Sequence, residues 1–370
     1  MIYYGKQNIN QDDIDSIVEV LKSDFLTQGP KVPEFEEDIK NYCQAEYSKV
    51  VSNATAALHL AYLAVGLKKG DIVWTSPNTF VSTANAALYC GATVDFVDID
   101  PYTYNISVDC LKEKLVQAKK DNKLPKLVVP VHFAGQSCDM EAIWELSKEY
   151  KFKVVEDASH ALGGKYKGEK IGNCKYSDMS VFSFHPVKMI TTGEGGAVTT
   201  NSKPLDEKVS LLRTHGITKD PSQFNSKSHG DWYYEQQSLG YNYRLTDIQA
   251  ALGISQLKRL DSFVLKRKQI AEFYLQNLDQ KITPKQLSDT NSSWHLFVIQ
   301  VSNRQKIYQR LKNSGIQPQI HYIPVNSQPF YNCKTPQNCE IFYEQCLSLP
   351  IYYDLTMEQC EQVVSCINHD

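Results

Sequence analysis

The stretch Ile72-Val73-Trp74-Thr75-Ser76-Pro77-Asn78-Thr79-Phe80, continued by Val81-Ser82-Thr83-Ala84-Asn85-Ala86-Ala87-Leu88 and by Thr93-Val94-Asp95-Phe96-Val97, decides the fold. A β-branched run, a helix-length run and a second β-branched run follow at the spacing of strand, helix and strand. Working outward, the alternation continues on both sides. Upstream, a short strand at Val50-Val51 leads into a helix running to residue 65. Downstream, the pattern predicts a helix over 108–117, a strand over 127–131 and a helix over 140–149. Strands over 152–155, 179–182 and 196–199 complete the series. This order calls for an α/β fold with a large mixed, mostly parallel sheet covered by helices on both faces.

The register changes beyond residue 215 or so. Residues 222–237 are polar and aromatic without a period, as expected of an excursion over the surface or onto a partner. Residues 245–263 read as one long helix capped by Thr246 or Asp247. Strands are expected over 292–301 and 317–323, and helices over 305–313 and 356–367, the last with a Thr356-x-x-Gln359 capping box. The expectation is a large α/β domain over 1–250 and a small C-terminal α+β domain over 251–370.

Bulk composition excludes more than it assigns. The 370 residues carry 39 Lys and Arg against 42 Asp and Glu, a net charge of -3, so the basic footprint of a nucleic-acid binder is missing. No apolar run approaches the roughly 18 residues of a membrane span. The start, Met1-Ile2-Tyr3-Tyr4-Gly5-Lys6, lacks the apolar core of a secretory signal. The 10 cysteines scatter without a C-x-x-C, which suits free thiols in a reducing, cytoplasmic setting.

Three clusters carry chemistry. Ser52-Asn53-Ala54-Thr55-Ala56-Ala57 opens a helix after a strand, where backbone N–H groups and the dipole favour an anion, although an ordinary helix cap explains it as well. Val154-Val155-Glu156-Asp157-Ala158-Ser159-His160 places two carboxylates and a histidine just past a buried strand. Strand geometry sends Glu156 and Asp157 to opposite faces, so one of them reaches a ligand; a helix cap by Asp157 with His160 in the core is the competing reading. Phe182-Ser183-Phe184-His185-Pro186-Val187-Lys188-Met189-Ile190-Thr191-Thr192-Gly193-Glu194-Gly195-Gly196 sets a lysine among apolar neighbours. Desolvation there would lower its pKa and free the amine as a nucleophile, whereas a surface lysine would leave it inert.

Together an anion site, a carboxylate and an activated lysine are what pyridoxal 5'-phosphate requires. Asp157 would keep the ring nitrogen protonated, and Phe80 would stack on the ring face. The competing assembly is a metal site from His132, Asp157, His160 and His185. Apart from Asp157 and His160 at i, i+3, it lacks helical ligand spacing, and it leaves Lys188 unexplained, so no metal is expected.

At these residues the chain resembles the DegT/DnrJ/EryC1 family of sugar aminotransferases, which has the aspartate-aminotransferase type (fold type I) PLP-dependent transferase fold. The likeness runs from Leu26-Thr27-Gln28-Gly29-Pro30 through the three clusters to Gly240-Tyr241-Asn242-Tyr243-Arg244-Leu245 and Leu347-Ser348-Leu349-Pro350. It implies that Lys188 forms the Schiff base with the cofactor and shuttles a proton. It makes Asp157 the partner of the pyridinium nitrogen, and it places His160 near the ring hydroxyl. Thr55, Ala56 and Ser183 match phosphate contacts, and Phe80 stands at the ring-stacking position. Asn242 matches a residue that reaches the phosphate of a neighbouring subunit, which implies a homodimer with shared active sites. Members that dehydrate sugars carry histidine in place of the lysine, so transamination is expected here.

Within the family the resemblance is strongest to the members of pseudaminic acid biosynthesis. It is carried by Ala86-Ala87-Leu88-Tyr89-Cys90-Gly91-Ala92, Val131-His132-Phe133-Ala134-Gly135-Gln136 and Ile320-His321-Tyr322-Ile323-Pro324-Val325. This implies L-glutamate as donor and a UDP-linked 2-acetamido-2,6-dideoxy-hexos-4-ulose as acceptor. Other nucleotide keto sugars, or a catalytically idle sensor of amino sugars, are the alternatives. Tyr4, Gln28, His321 and Tyr322 are candidate sugar or nucleotide contacts, with packing as the equal reading. Arg244 would meet the glutamate carboxylate or a diphosphate, or else form a salt bridge at a dimer interface.

Overall fold

A computed structural model describes residues 1–368. The central sheet is built from β1 (Tyr47–Val51), β2 (Ile72–Thr75), β3 (Thr93–Phe96), β4 (Leu127–Val129) and β5 (Lys153–Asp157). A hairpin of two short strands, β6 (Lys165–Tyr166) and β7 (Glu169–Lys170), intervenes before its last members, β8 (Met179–Ser183) and β9 (Gly196–Thr200). Side by side the seven run β1-β9-β8-β5-β4-β2-β3. All pairings from β8 to β3 are parallel, and β9 is antiparallel to both its neighbours.

The helices around this sheet are α1 (Gln11–Leu21), α2 (Lys31–Cys43), α3 (Ala54–Ala64), α4 (Val81–Tyr89), α5 (Val108–Lys120), α6 (Met140–Tyr150), α7 (Lys203–Leu212) and α8 (Asp247–Leu257). Strand side chains alternate between two apolar faces, as a sheet covered on both sides requires. Val51, Val73, Leu127, Val129, Val155, Val181 and Val198 join one core with α3 and α4. Val50, Phe182 and Ala197, with Trp74, Val128 and Val154, face the cores on the other side. Helix α3 has little amphipathicity because it is wrapped by protein; Asn53 starts it by accepting from the Ala56 N–H at 2.8 Å.

The expected long helix over 245–263 is two helices. Thr246 and Gln249 form the capping box of α8, and α9 (Leu260–Asn277) begins after a break at Lys258–Arg259. The cause is Asp13, a fully buried carboxylate that takes donors from Ser255, Gln256 and the Arg259 guanidinium. Turning Arg259 back toward Asp13 tightens the last turn, where the Arg259 N–H bonds the Gln256 carbonyl.

Helix α9 runs from one core to another. Leu260 and Phe263 pack with α2 and α8, while Ile270, Ala271 and Tyr274 pack in a second core. Short pairs lie outside the central sheet: β10 (Ile217–Thr218) with β11 (Glu235–Gln236), and β12 (Thr290–Asn291) against β6. The second core contains β13 (Phe297–Gln300), α10 (Arg304–Asn313), β14 (Cys346–Leu349) and α12 (Met357–Asn368), with α11 (Gln337–Gln345) beside it. The chain start joins this core too, Ile2 bridging to Ile316.

Two expected strands are shorter than their patterns. In 292–301 only β13 pairs, because Ser293 and Leu296 donate instead to Gly135 and Ala134 in the loop after β4. In 317–323 a single bridge, Gln319 to Ser348, replaces a strand; the chain then leaves the sheet edge toward Pro324, which has no N–H to offer. Conversely, β5 extends past residue 155 through Asp157, whose backbone bonds Pro130 and His132. Residues 222–237 lie over the surface, with Trp232 79% exposed. All 10 cysteines are free. Among the described residues no helix is long and apolar enough to cross a membrane.

Candidate active site

Ligands of open α/β sheets collect at the carboxyl ends of the strands. Here the loops after β1, β2, β4, β5 and β8 meet at that edge. The antiparallel β9 adds the residues just before its start. Tyr4, His295 and the segment 319–322 close over them, leaving a cleft of about 1000 Å³.

Of the residues singled out from the sequence, Lys188, Asp157, His160, Thr55, Ala56, Phe80, Ser183, Tyr4, His321 and Tyr322 line this cleft. Gln28, Asn242 and Arg244 do not. Asn242 and Gln28 are exposed, and each lies on a bridged segment: Asn242 opposite Thr214, Gln28 beside the Thr27–Thr246 pair. Arg244 is half-buried, its backbone opposite Val51.

Lys188 follows β8 in a turn closed by its N–H to the His185 carbonyl at 2.8 Å. Enclosure of its ammonium lowers the pKa to about 8, against the opposing pull of the Asp157 carboxylate. Asp157, 4% exposed at the end of β5, accepts from the Thr83 hydroxyl at 2.7 Å and the Ser159 N–H at 3.2 Å. Helix α3 points its first turn at the same space. The Ala56 N–H is taken by Asn53, but those of Ala54 and Thr55 have no acceptor within the helix. Gly196 permits this approach, since a Cβ there would sit 2.8 Å from the Ala54 nitrogen. Ser183 ends β8 half-buried, and Phe80 is 57% exposed with its ring 6.2 Å from that of Tyr322.

Three histidines meet at the inner wall. His160 Nε2 bonds the Tyr322 hydroxyl at 3.0 Å, and its buried Nδ1 has no partner. The His160 ring lies 4.4 Å from His295, and His321 Nδ1 bonds the Ser348 hydroxyl at 2.8 Å. Burial, then the neighbouring Lys188 cation, lowers His321 to about 3; the same two influences, with the other histidines, hold His160 and His295 well below the usual histidine range. The wall is therefore neutral at physiological pH, flanked by the Lys188 amine and by the Arg267 guanidinium, which donates to the His295 carbonyl at 3.1 Å.

The four residues of the alternative metal site do not assemble. His132 accepts the Cys138 N–H on Nδ1 at 3.1 Å and bonds Glu156 through Nε2 at 2.6 Å, both ring nitrogens being used behind the sheet. Among the described residues no three His, Cys, Asp or Glu side chains are grouped as a metal would need.

Sequence reasoning missed Thr79, Thr83 and His295. The first two had no local signal: Thr79 precedes the Phe80 cap of α4, and Thr83 matters through Asp157, distant in sequence. His295, a lone histidine between Trp294 and Leu296, is indistinguishable from a core residue in the sequence.

Comparison with known proteins agrees in scale with this geometry. Residues 7–368 match the DegT/DnrJ/EryC1/StrS aminotransferase family. A UDP-4-amino-4,6-dideoxy-N-acetyl-beta-L-altrosamine transaminase from Campylobacter jejuni is 41% identical over 98% of this chain and 96% of its own. Helicobacter pylori PseC, an aminotransferase involved in the biosynthesis of pseudoaminic acid, has a TM-score of 0.90 at 33% identity over 99% of this chain and 98% of that one. A DegT DnrJ EryC1 StrS aminotransferase from Brucella abortus has a TM-score of 0.88 at 27% identity, covering 96% of this chain and 94% of that one.

Proposed function

The chain belongs to the DegT/DnrJ/EryC1/StrS aminotransferase family, and from that premise we propose its substrates and the residues that serve them. The donor is L-glutamate. The acceptor is a UDP-linked 2-acetamido-2,6-dideoxy-hexos-4-ulose, aminated at the 4-keto carbon as in pseudaminic acid biosynthesis. The similarity to the Campylobacter transaminase supports this choice of sugar.

The cleft fits pyridoxal 5'-phosphate. Its lining residues carry two buried and unpartnered polar atoms, Nδ1 of His160 and Nδ1 of His295, and the N–H groups of Ala54 and Thr55, without acceptors in the helix, would take an anion. Thr55 and Ser183 would hold the phosphate, with Ala56 joining them if its N–H turns from Asn53, while Asp157 would meet the protonated ring nitrogen, His160 the ring hydroxyl and Phe80 the ring face. When bound, the cofactor supplies an electron-accepting ring that carries the amino group from donor to acceptor.

The protein does the rest. Lys188 holds the cofactor between turnovers and then, as a free amine, moves the proton at the substrate carbon; a value near 8 lets it both give and take a proton near neutrality. Asp157 keeps a fixed negative charge opposite the ring nitrogen. Tyr4, His321 and Tyr322 would bound the sugar or nucleotide; Gln28, for the same contacts, and Arg244, for the glutamate carboxylate or a diphosphate, lie outside this chain's cleft and would serve across a subunit interface. Asn242, outside its own chain's cleft, would serve the site of a second copy in a cytoplasmic homodimer. Each subunit would comprise the large domain over 1–250 and the small one over 251–370.

The observation that carries this reading is the desolvated Lys188 amine at the end of β8, sharing a cleft with Asp157 at the end of β5. Wild-type protein given pyridoxal 5'-phosphate should show the visible absorption of a lysine-bound cofactor, and Lys188→Ala should lack it together with all turnover. Incubation with glutamate and several nucleotide 4-keto sugars, followed by NMR of the product, identifies the acceptor. A wild type without the band sinks the assignment.

A further inference from the structure

Asp157 is held from the side by a helix that the cofactor reading does not use. Thr83 of α4 is fully buried, and its hydroxyl reaches across to Asp157 Oδ2 at 2.7 Å. Threonine inside a helix ordinarily bonds back to the carbonyl four residues earlier. Thr83 has instead the hydroxyl of Thr79 at 2.8 Å. Its own carbonyl accepts the Tyr62 hydroxyl at 3.0 Å, which pins this turn of α4 to α3.

The direction of the chain follows from counting hydrogens. An ionised carboxylate only accepts, and a hydroxyl has one hydrogen to give. Thr83 spends its hydrogen on Asp157, so the bond between the two threonines is donated by Thr79. On the opposite side the Ser159 N–H donates to Asp157 Oδ1 at 3.2 Å. Two donors, one on each oxygen, fix the plane of the carboxylate, and the lone pairs left over belong to the side that lines the cleft.

We propose that Thr83, backed by Thr79, is a positioning residue that locks the Asp157 carboxylate in the orientation required by the ring nitrogen of pyridoxal phosphate. The proposal rests on the reading of Asp157 as the partner of that nitrogen. Thr83 touches neither cofactor nor substrate; it acts through Asp157.

The test uses full-length Thr83→Val, which removes the hydroxyl and keeps the branched shape, and Thr83→Ser, which keeps the hydroxyl. Apoprotein is titrated with pyridoxal phosphate to obtain Kd, and kcat and KM are measured separately. Thr83→Val is expected to weaken cofactor binding about tenfold and to lower kcat with KM for the sugar unchanged. Thr83→Ser is expected within about threefold of wild type. In an Asp157→Asn background the Thr83→Val loss should largely vanish, because residues acting through one another are not additive. Equal losses in the Val and Ser variants, or a Val loss that persists undiminished in the Asp157→Asn background, would overturn the proposal in favour of packing. Should Thr83→Val fail to fold, Thr79→Val reads the same chain and is expected to weaken binding less, in the same direction; wild-type affinity there would overturn it. A wild type that does not bind pyridoxal phosphate removes the cofactor reading itself, a distinguishable failure.

Discussion

Glu156 and Asp157 are adjacent carboxylates on one strand, and they have opposite fates. Period-two geometry sends Glu156 behind the sheet and Asp157 toward the cleft. Behind the sheet Glu156 takes three donors on its two oxygens: His132 Nε2, and the hydroxyls of Ser177 and Ser180. Burial alone would raise the Glu156 pKa, but the hydrogen bonds from His132 and the two serines outweigh it and hold it below the usual value. Since the Cys138 N–H occupies His132 Nδ1, the proton sits on Nε2 and points at Glu156. On the cleft side Asp157 has two donors and acceptor capacity to spare. A closed network gives a strand end its rigidity, while an open one leaves charge for a ligand.

Breaking the closed side should cost most in folding. Glu156→Ala strands the His132 N–H and two hydroxyls in a buried space, and unfolding in urea should show a loss of about 3–5 kcal/mol. The sign with pH is also fixed. Because the native value lies below the unfolded one, the stabilisation is complete above about pH 4.3 and is lost as pH falls through the native value. The alanine variant should therefore lose less stability than wild type on acidification. An unchanged urea midpoint in Glu156→Ala would erase the contrast between the two carboxylates.

Asp157→Asn should do the reverse. The side chain keeps its size but only one oxygen, so one of its two donors, the Thr83 hydroxyl or the Ser159 N–H, loses an acceptor and the loss in urea unfolding should be only about 1 kcal/mol. Turnover should fall on the order of 100-fold, as when a preorganised charge-stabilising group is removed. A variant that loses stability while its remaining folded fraction turns over normally would assign Asp157 to the scaffold.

The same contrast explains what was legible in the chain. Lys188 and the start of α3 follow a strand closely and Asp157 ends one, so local pattern and strand-end chemistry located them. The helices and strands of the parallel sheet were legible for a similar reason, since each buries a whole face. Thr83, His295 and the bond between Tyr322 and His160 depend on segments far apart in sequence, and nothing local announces them. The break before α9 was hidden because Asp13, far upstream, decides where Arg259 must turn. The 317–323 segment has strand-like residues, but its neighbours claim its side chains for the cleft.

Lys188 gives the smallest effect and the sharpest sign. Its native pKa of about 8 lies below the value of about 10.4 for an unfolded lysine, so between these limits the unfolded chain binds more protons. Stability of the cofactor-free protein must then rise with pH across that window, and the cost of desolvating the cation is fully present below it. The side chain is half-buried and opens on water in the cleft, so the screened cost is about 1–2 kcal/mol. Lys188→Met removes it: in urea unfolding at pH 7 the cofactor-free variant should be more stable than wild type by that amount. The two should converge as pH approaches 10. Other groups that titrate in this range cancel in the difference between the chains. A difference that stays constant with pH would show that Lys188 folds without a desolvation cost, and its amine would then lack the activation that the site requires.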